Sequence, residues 1–200
     1  RPAQPAGGRA QPSAATLPAP CARRLKDTKV RAWIGLGGNR ADSGALLVEV
    51  LAPLAAVPGV ALLRRSATYR SPPWGRQAQP DYVNAVAELE TALQPPSLLR
   101  QLLEIESSLG RQRSATTRWG PRCIDLDLLT YGALTLQSKD LELPHPRMHL
   151  RAFVLVPLLE LDSGFVIPGR GPAADYLREI DADEVAAVVP LPPTGMEQQT

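Results

Sequence analysis

The chain has 200 residues, 44% hydrophobic and 21% charged, with a formal net charge of only +2. That supplies one ordinary core, and too little bulk charge to hold nucleic acid non-specifically. No apolar run is long enough to span a bilayer, no signal segment is legible, and Cys21 and Cys123 fit neither a disulfide framework nor a zinc spacing. A monomer in a reducing, cytoplasmic compartment, with no membrane or nucleic-acid partner, is the simplest expectation.

Residues 1–29 are rich in Pro, Ala, Gly and Gln and bury too little to offset ordering, so they read as a disordered tail or linker. A second polar tail is expected over 190–200, leaving 30–189 as the folded domain. A strand over 30–36 runs into Gly37-Gly-Asn39. Gly35-x-Gly37 lacks the third glycine of a dinucleotide fingerprint, since Arg40 stands there, and no Gly-Lys-Ser/Thr exists for a P-loop. These glycines read instead as places where the backbone turns or approaches something closely. Asp42 or Ser43 can cap a helix with Leu46, Leu47, Val50, Leu51 and Leu54 on one face, ended by Pro58-Gly59. A strand over 60–69, a long loop over 70–80 and a strand over 82–93 follow; loops of that length are usually functional or disordered. Pro95-Pro-Ser97 introduces a helix over 98–109, with Leu99, Leu102, Leu103 and Ile105 as its core stripe and Glu106 at its border. Gly110 ends it, and Arg111, Arg113 and Arg118 lie in the polar loop beyond.

Arg118-Trp-Gly-Pro-Arg122 is a basic turn, and the aliphatic run 123–131, closed by Gly132, reads as a strand. On it Ile124, Leu126 and Leu128 face one way; Asp125 and Asp127 face the other, with Cα atoms about 6–7 Å apart. Two like charges on one face call for something positive. Either the outer face is salt-bridged by nearby arginines, or the carboxylates share Mg²⁺ ions that clamp a phosphate. His145 and His149 are four apart, but Pro146 and the lack of a third ligand argue against zinc. A short strand near 134–136, a helix over 151–161 with Phe153 at its start, a brief strand over 165–167 and a helix over 172–180 complete the chain. This order predicts an α/β sandwich (α+β) of the ferredoxin-like kind, a mostly antiparallel sheet with helices packed on it.

Taken in order, Trp33-Ile-Gly-Leu-Gly-Gly-Asn39, Tyr69-Arg-Ser-Pro-Pro-Trp-Gly75, Gln79-Pro-Asp-Tyr-Val-Asn84, Leu109-Gly-Arg111, Arg118-Trp-Gly-Pro-Arg122, Asp125-Leu-Asp127 and Pro144-His145 resemble the 6-hydroxymethyl-7,8-dihydropterin pyrophosphokinase family over about residues 30–170. The resemblance implies transfer of diphosphate from ATP to the hydroxymethyl group of a reduced pterin in folate biosynthesis. It implies Asp125 and Asp127 as ligands of two Mg²⁺ ions and, with Arg111 and Arg113, as catalytic residues. Glu106, Arg113, Trp119, Arg122, Ile124, Leu128, His145 and Arg151 would contact ATP, the arginines and His145 neutralising charge. Tyr82 and Phe153 would stack on the pterin and Asn84 would meet its edge, with Ser71, Pro72 and Trp74 completing the pocket. Leu103 and Pro146-Arg147 depart from some relatives. Two other classes remain open on the residues alone: a Mg-dependent nucleotidyltransferase, whose glycine-rich and Asp-x-Asp elements lie close together, and an RNA-binding module, which would cluster aromatics on adjacent strands.

Overall fold

The computed structural model describes residues 28–40, 42–73, 79–110 and 124–192. In chain order the elements are β1 (Val30–Gly38), α1 (Ser43–Glu49), α2 (Leu51–Ala56), β2 (Val60–Arg65), β3 (Tyr69–Ser71), β4 (Tyr82–Thr91), α3 (Pro95–Ser108) and β5 (Asp125–Tyr131). After these come β6 (Leu136–Gln137), β7 (Glu142–Leu143), a 3-10 turn (Met148–Leu150), α4 (Ala152–Leu161), β8 (Val166–Ile167), β9 (Gly171–Pro172), α5 (Ala173–Glu179), α6 (Ala182–Ala186) and β10 (Val189–Pro190). The fold is a mixed α/β arrangement around a mostly antiparallel sheet.

At the centre β1 pairs with β4 on one side and β5 on the other. Both β2 and β3 pair with β4 along its remaining edge, and β10 pairs with β3; every pairing is antiparallel. One face of the sheet buries Ile34, Leu36, Ala87, Leu89, Leu126 and Leu128 against Leu47, Leu54, Leu98 and Leu102 of α1–α3. The opposite face buries Trp33, Val86 and Leu129 against Val154, Leu155 and Leu158 of α4 and Ala173 of α5. Both faces are therefore covered. That explains why Asn84 to Leu89 is buried without a break, where a one-sided sheet would alternate.

Several predicted elements change shape for identifiable reasons. The first helix divides at Val50 into α1 and α2, because Pro53 has no N–H to donate back to Glu49. Asp42 stands at its start without a side-chain cap bond, and Ser43 Oγ accepts the Arg40 N–H at 2.8 Å. α3 begins at Pro95, with both prolines in the first turn, where a missing N–H costs nothing. The strand expected over 60–69 is two strands. Ser66 interrupts it: its N–H donates to Val86 O at 2.9 Å and its Oγ accepts the Val86 N–H at 3.0 Å.

Candidate active site

A cleft of about 490 Å³ opens at the end of the sheet where β1 and β3 finish and β4 and β5 begin. Gly35, Gly37, Asn84, Asp125 and Asp127 line it from the strands, Glu106 from α3, and His145, Arg151 and Phe153 from the segment around the start of α4. Its floor follows from strand register. Gly37 is paired with Asn84 on one side and Asp125 on the other; Gly35 is paired with Asp127. Residues directly opposite in a sheet share a face, so Asn84, Gly37 and Asp125 form a row whose middle member has no side chain. The glycines are there for room: neither has a positive φ, and a Cβ on Gly37 would stand 3.3 Å from Asn84 Oδ1.

Asn84 is buried and its Nδ2 donates to Ser71 Oγ at 2.9 Å. One donor of the amide is thereby engaged, and Oδ1 is turned over Gly37 toward the floor. Gln79, which also lines the cleft, accepts the Asn39 Nδ2 at 2.9 Å and the Tyr82 hydroxyl at 3.0 Å, tying the aromatic ring to the turn after β1. Glu106 is almost fully buried, and its Oε1 accepts the Leu126 N–H at 2.7 Å, fixing α3 against the strand that carries both aspartates.

Among the described residues, Arg151 is a positive partner for the two aspartates on this face: its Nη1 lies 3.7 Å from Asp127 Oδ2 and its Cζ sits 5.6 Å from the Phe153 ring centre. Asp127 keeps 41% of its side chain exposed to the cleft, whereas Arg151 keeps 18%. His145 is held from both sides: its N–H donates to Leu129 O at 2.7 Å, and its Nδ1 accepts the Arg147 N–H at 3.3 Å. Burial, then the charges of Arg151 and Arg147, push its pKa down to about 4. Near pH 7 the ring is uncharged and carries its proton on Nε2. It therefore faces the cleft as a neutral hydrogen-bond donor.

Of the residues singled out in the sequence, Ser71, Pro72, Tyr82, Asn84, Glu106, Asp125, Asp127, His145, Arg151 and Phe153 come together on this cleft. Ile124 and Leu128 do not: both side chains are buried in the core on the α1–α3 side, so any contact with a cleft ligand must come from their backbone. Trp74, Arg111, Arg113, Trp119 and Arg122 lie outside the described residues. Gly35, Gly37 and Gln79 received no site role from the sequence, because a paired glycine's space and an amide's two partners leave no periodic signal. Leu99 and Leu103, expected in the core stripe of α3, are half-buried and line the cleft instead.

Two carboxylates backed by arginine, facing flat aromatic and amide groups across one cleft, suit an enzyme that moves a phosphate group onto a planar co-substrate. A profile of the 7,8-dihydro-6-hydroxymethylpterin-pyrophosphokinase family matches residues 33–163. A 2-amino-4-hydroxy-6-hydroxymethyldihydropteridine pyrophosphokinase of Methylorubrum extorquens is 42% identical over 168 residues, covering 84% of this chain and 98% of that protein. The Haemophilus influenzae protein of the same name is 44% identical over 139 residues, covering 70% of this chain and 86% of its own. A Plasmodium falciparum HPPK-DHPS crystal structure superposes with a TM-score of 0.61 at 12% identity, over 78% of this chain and 46% of that chain, which is likeness of fold. The chain belongs to the 7,8-dihydro-6-hydroxymethylpterin-pyrophosphokinase family.

Proposed function

We infer that this chain carries out its family's reaction, an ATP-dependent diphosphoryl transfer to 6-hydroxymethyl-7,8-dihydropterin in folate biosynthesis. The hydroxymethyl oxygen forms a bond to the β-phosphorus of ATP while the bond from that phosphorus to the α,β-bridging oxygen breaks. AMP departs, and the hydroxyl proton is lost. The observation that carries this reading is the meeting of Asp125 and Asp127 with Tyr82, Asn84 and Phe153 in one cleft.

Asp125 and Asp127 offer oxygen donors only, and Mg²⁺ is commonly held by one or two carboxylates plus substrate phosphates, so the pair fits that ion. Two ions are our proposal; bound there, they would offset phosphate charge and polarise the attacking hydroxyl. Arg151 exchanges its pairing with Asp127 for the phosphates, and His145 donates from Nε2. By the family resemblance Arg111, Arg113, Trp119 and Arg122 would contact ATP, with Glu106 and the backbone at Ile124 and Leu128 near the nucleotide. Tyr82 and Phe153 hold the pterin between their rings, Asn84 Oδ1 accepts from its edge, and Ser71 and Pro72 wall the pocket, with Trp74 a further contact implied by the family resemblance. Positioning and fixed charge then supply most of the acceleration.

A ferredoxin-like core is supported by the antiparallel order β2–β4–β1–β5 with helices at both crossovers. We take 30–189, extended at its C-terminal edge by Pro190 of β10 and by Leu191, whose N–H donates to Thr68 O, as the catalytic domain, acting as a cytoplasmic monomer without nucleic-acid or membrane partners. Among the described residues no helix is long and apolar enough to cross a membrane. Incubation with ATP, Mg²⁺ and 6-hydroxymethyl-7,8-dihydropterin should release AMP and the pterin diphosphate in equal amounts. Release of inorganic diphosphate from ATP would instead mark a nucleotidyltransferase and overturn the reading.

A further inference from the structure

We propose that Asp140 fixes the ribose of ATP, its carboxylate accepting from the 2′- and 3′-hydroxyls, and that the site thereby prefers ribonucleotides to deoxyribonucleotides. This role rests on the diphosphoryl transfer inferred above. Asp140 lines the same cleft as Asp125 and Asp127 but has had no part in the chemistry so far.

A closed turn carries Asp140. Ser138 donates to Leu141 O from its N–H at 3.0 Å and from its Oγ at 2.8 Å, and Leu141 N–H donates back to Ser138 Oγ at 3.1 Å. The turn joins β6 to β7, where Gln137 pairs with Glu142, and Leu141 and Leu143 anchor it in the core on the α1–α3 side. β7 lies against β5, the last strand in the order β3, β4, β1, β5. The cleft therefore runs from Ser71 and Asn84 at the β3–β4 end, past Asp125 and Asp127 on β5, to Asp140. With the pterin at the first end and phosphates in the middle, the nucleoside of ATP falls to the last.

Among the described residues no three acidic or histidine side chains converge as a metal site, so Asp140 is not a third ligand beside the aspartate pair. It is exposed, and no described residue pairs with its carboxylate. A carboxylate accepts hydrogen bonds and cannot donate them. Phosphate oxygens repel it, and adenine sets an acceptor beside its amino donor. The neighbouring hydroxyls of ribose are two donors for two oxygens, and acidic residues hold ribose in this way in dinucleotide folds. The base has its own wall: α3 packs against β5, and its half-buried Leu99 and Leu103 turn apolar surface to the cleft. A hold on the neutral sugar is the same before and during phosphoryl transfer, so Asp140 sets affinity rather than rate.

Calorimetric titration of the full chain with Mg²⁺ and ATP, 2′-deoxy-ATP or 3′-deoxy-ATP, without pterin, tests this. ATP should bind about tenfold more tightly than either deoxynucleotide, the scale of one hydrogen bond to a charged group. Asp140→Ala should weaken ATP by at least that factor and bring all three nucleotides within about twofold of one another. Asp140→Asn, which keeps one acceptor oxygen, should fall between. With pterin added and ATP saturating, kcat for AMP release should stay within about twofold of wild type in both variants. A merely structural role would weaken all three nucleotides alike, and a carboxylate that only repels phosphate would tighten all three when removed. Either result overturns the proposal, as does a sugar preference absent from wild type or surviving Asp140→Ala. Sugar-selective binding without AMP release overturns the transfer reading and keeps Asp140 on the ribose; AMP release without sugar preference does the reverse. No binding of any nucleotide overturns both.

Discussion

Asp127 sits half-exposed in the cleft, and changing its charge should alter chemistry more than folding. An amide is a far weaker Mg²⁺ ligand than a carboxylate, so Asp127→Asn should lower kcat on the order of a hundredfold or more while the melting temperature stays near wild type. Steady-state assays at ordinary Mg²⁺ check this; wild-type turnover would remove Asp127 from the metal site. Gly37→Ala tests the floor. The new methyl would press on an Asn84 already fixed by Ser71, and it projects where the flat co-substrate should lie. KM for the pterin should rise roughly tenfold, the scale of an overpacking penalty, with KM for ATP little changed. His145 gives a pH dependence with a definite sign. Its folded pKa of about 4 lies below the ordinary 6.5, so the unfolded chain binds more protons between those values. Stability from this group is complete above about pH 6.5 and is lost as pH falls toward 4. Urea unfolding of wild type and His145→Gln at pH 7 and pH 5 should show the wild type losing more on acidification. Equal losses would mean that His145 titrates normally.

Between elements, Glu160 of α4 acts as a clamp on the bend between β2 and β3. Its carboxylate accepts the Ala67 N–H at 3.0 Å and the Tyr69 hydroxyl at 2.9 Å. Burial and then this carboxylate push the Tyr69 pKa up to about 12. Glu160→Ala should destabilise the protein by about 1–3 kcal/mol, since two donors lose a charged acceptor. The Tyr69 transition followed by ultraviolet absorbance should move down without reaching its ordinary value, because burial remains. An unchanged transition would show that Glu160 plays no part. Elements like β5 were legible in the sequence because alternation writes the face of each residue directly: Leu126 went to the core and Asp125 to the cleft. The bend at Ser66 was not, because it depends on a side chain substituting for a ladder hydrogen bond with a strand not yet placed. Nor were α6 and β10, which are too short to show a period and owe their form to packing on β3. For the site, the motifs and the roles implied by the family resemblance supplied ten residues of one cleft, whereas the burial of Ile124 and Leu128 and the cleft-facing side of α3 needed the packing itself.

At the scale of the whole molecule, the boundaries drawn from composition can be tested by shortening the chain. Leu191 N–H donates to Thr68 O at 2.7 Å, just beyond the pairing of β10 with β3, so the C-terminal brace extends past residue 190. A chain of residues 28–192 should keep wild-type kcat and melting temperature. One ending at residue 187 should melt several degrees lower and bind the pterin less well, because β3 loses its outer neighbour. Identical melting curves would show that β10 contributes nothing. The place of β1 in the sheet bears on how the protein is made. Ala32 lies opposite both Leu89 and Tyr131, and no hairpin links β1 to either neighbour. Sheets that close through such distant partners fold slowly, in milliseconds to seconds, because loop entropy is spent before contacts repay it. During synthesis β1 leaves the ribosome before β4 and β5, with two bare edges and an apolar run, and it waits for both partners to be translated. The strand that ends at the floor of the active site is thus also the one most exposed to aggregation while the chain is being born.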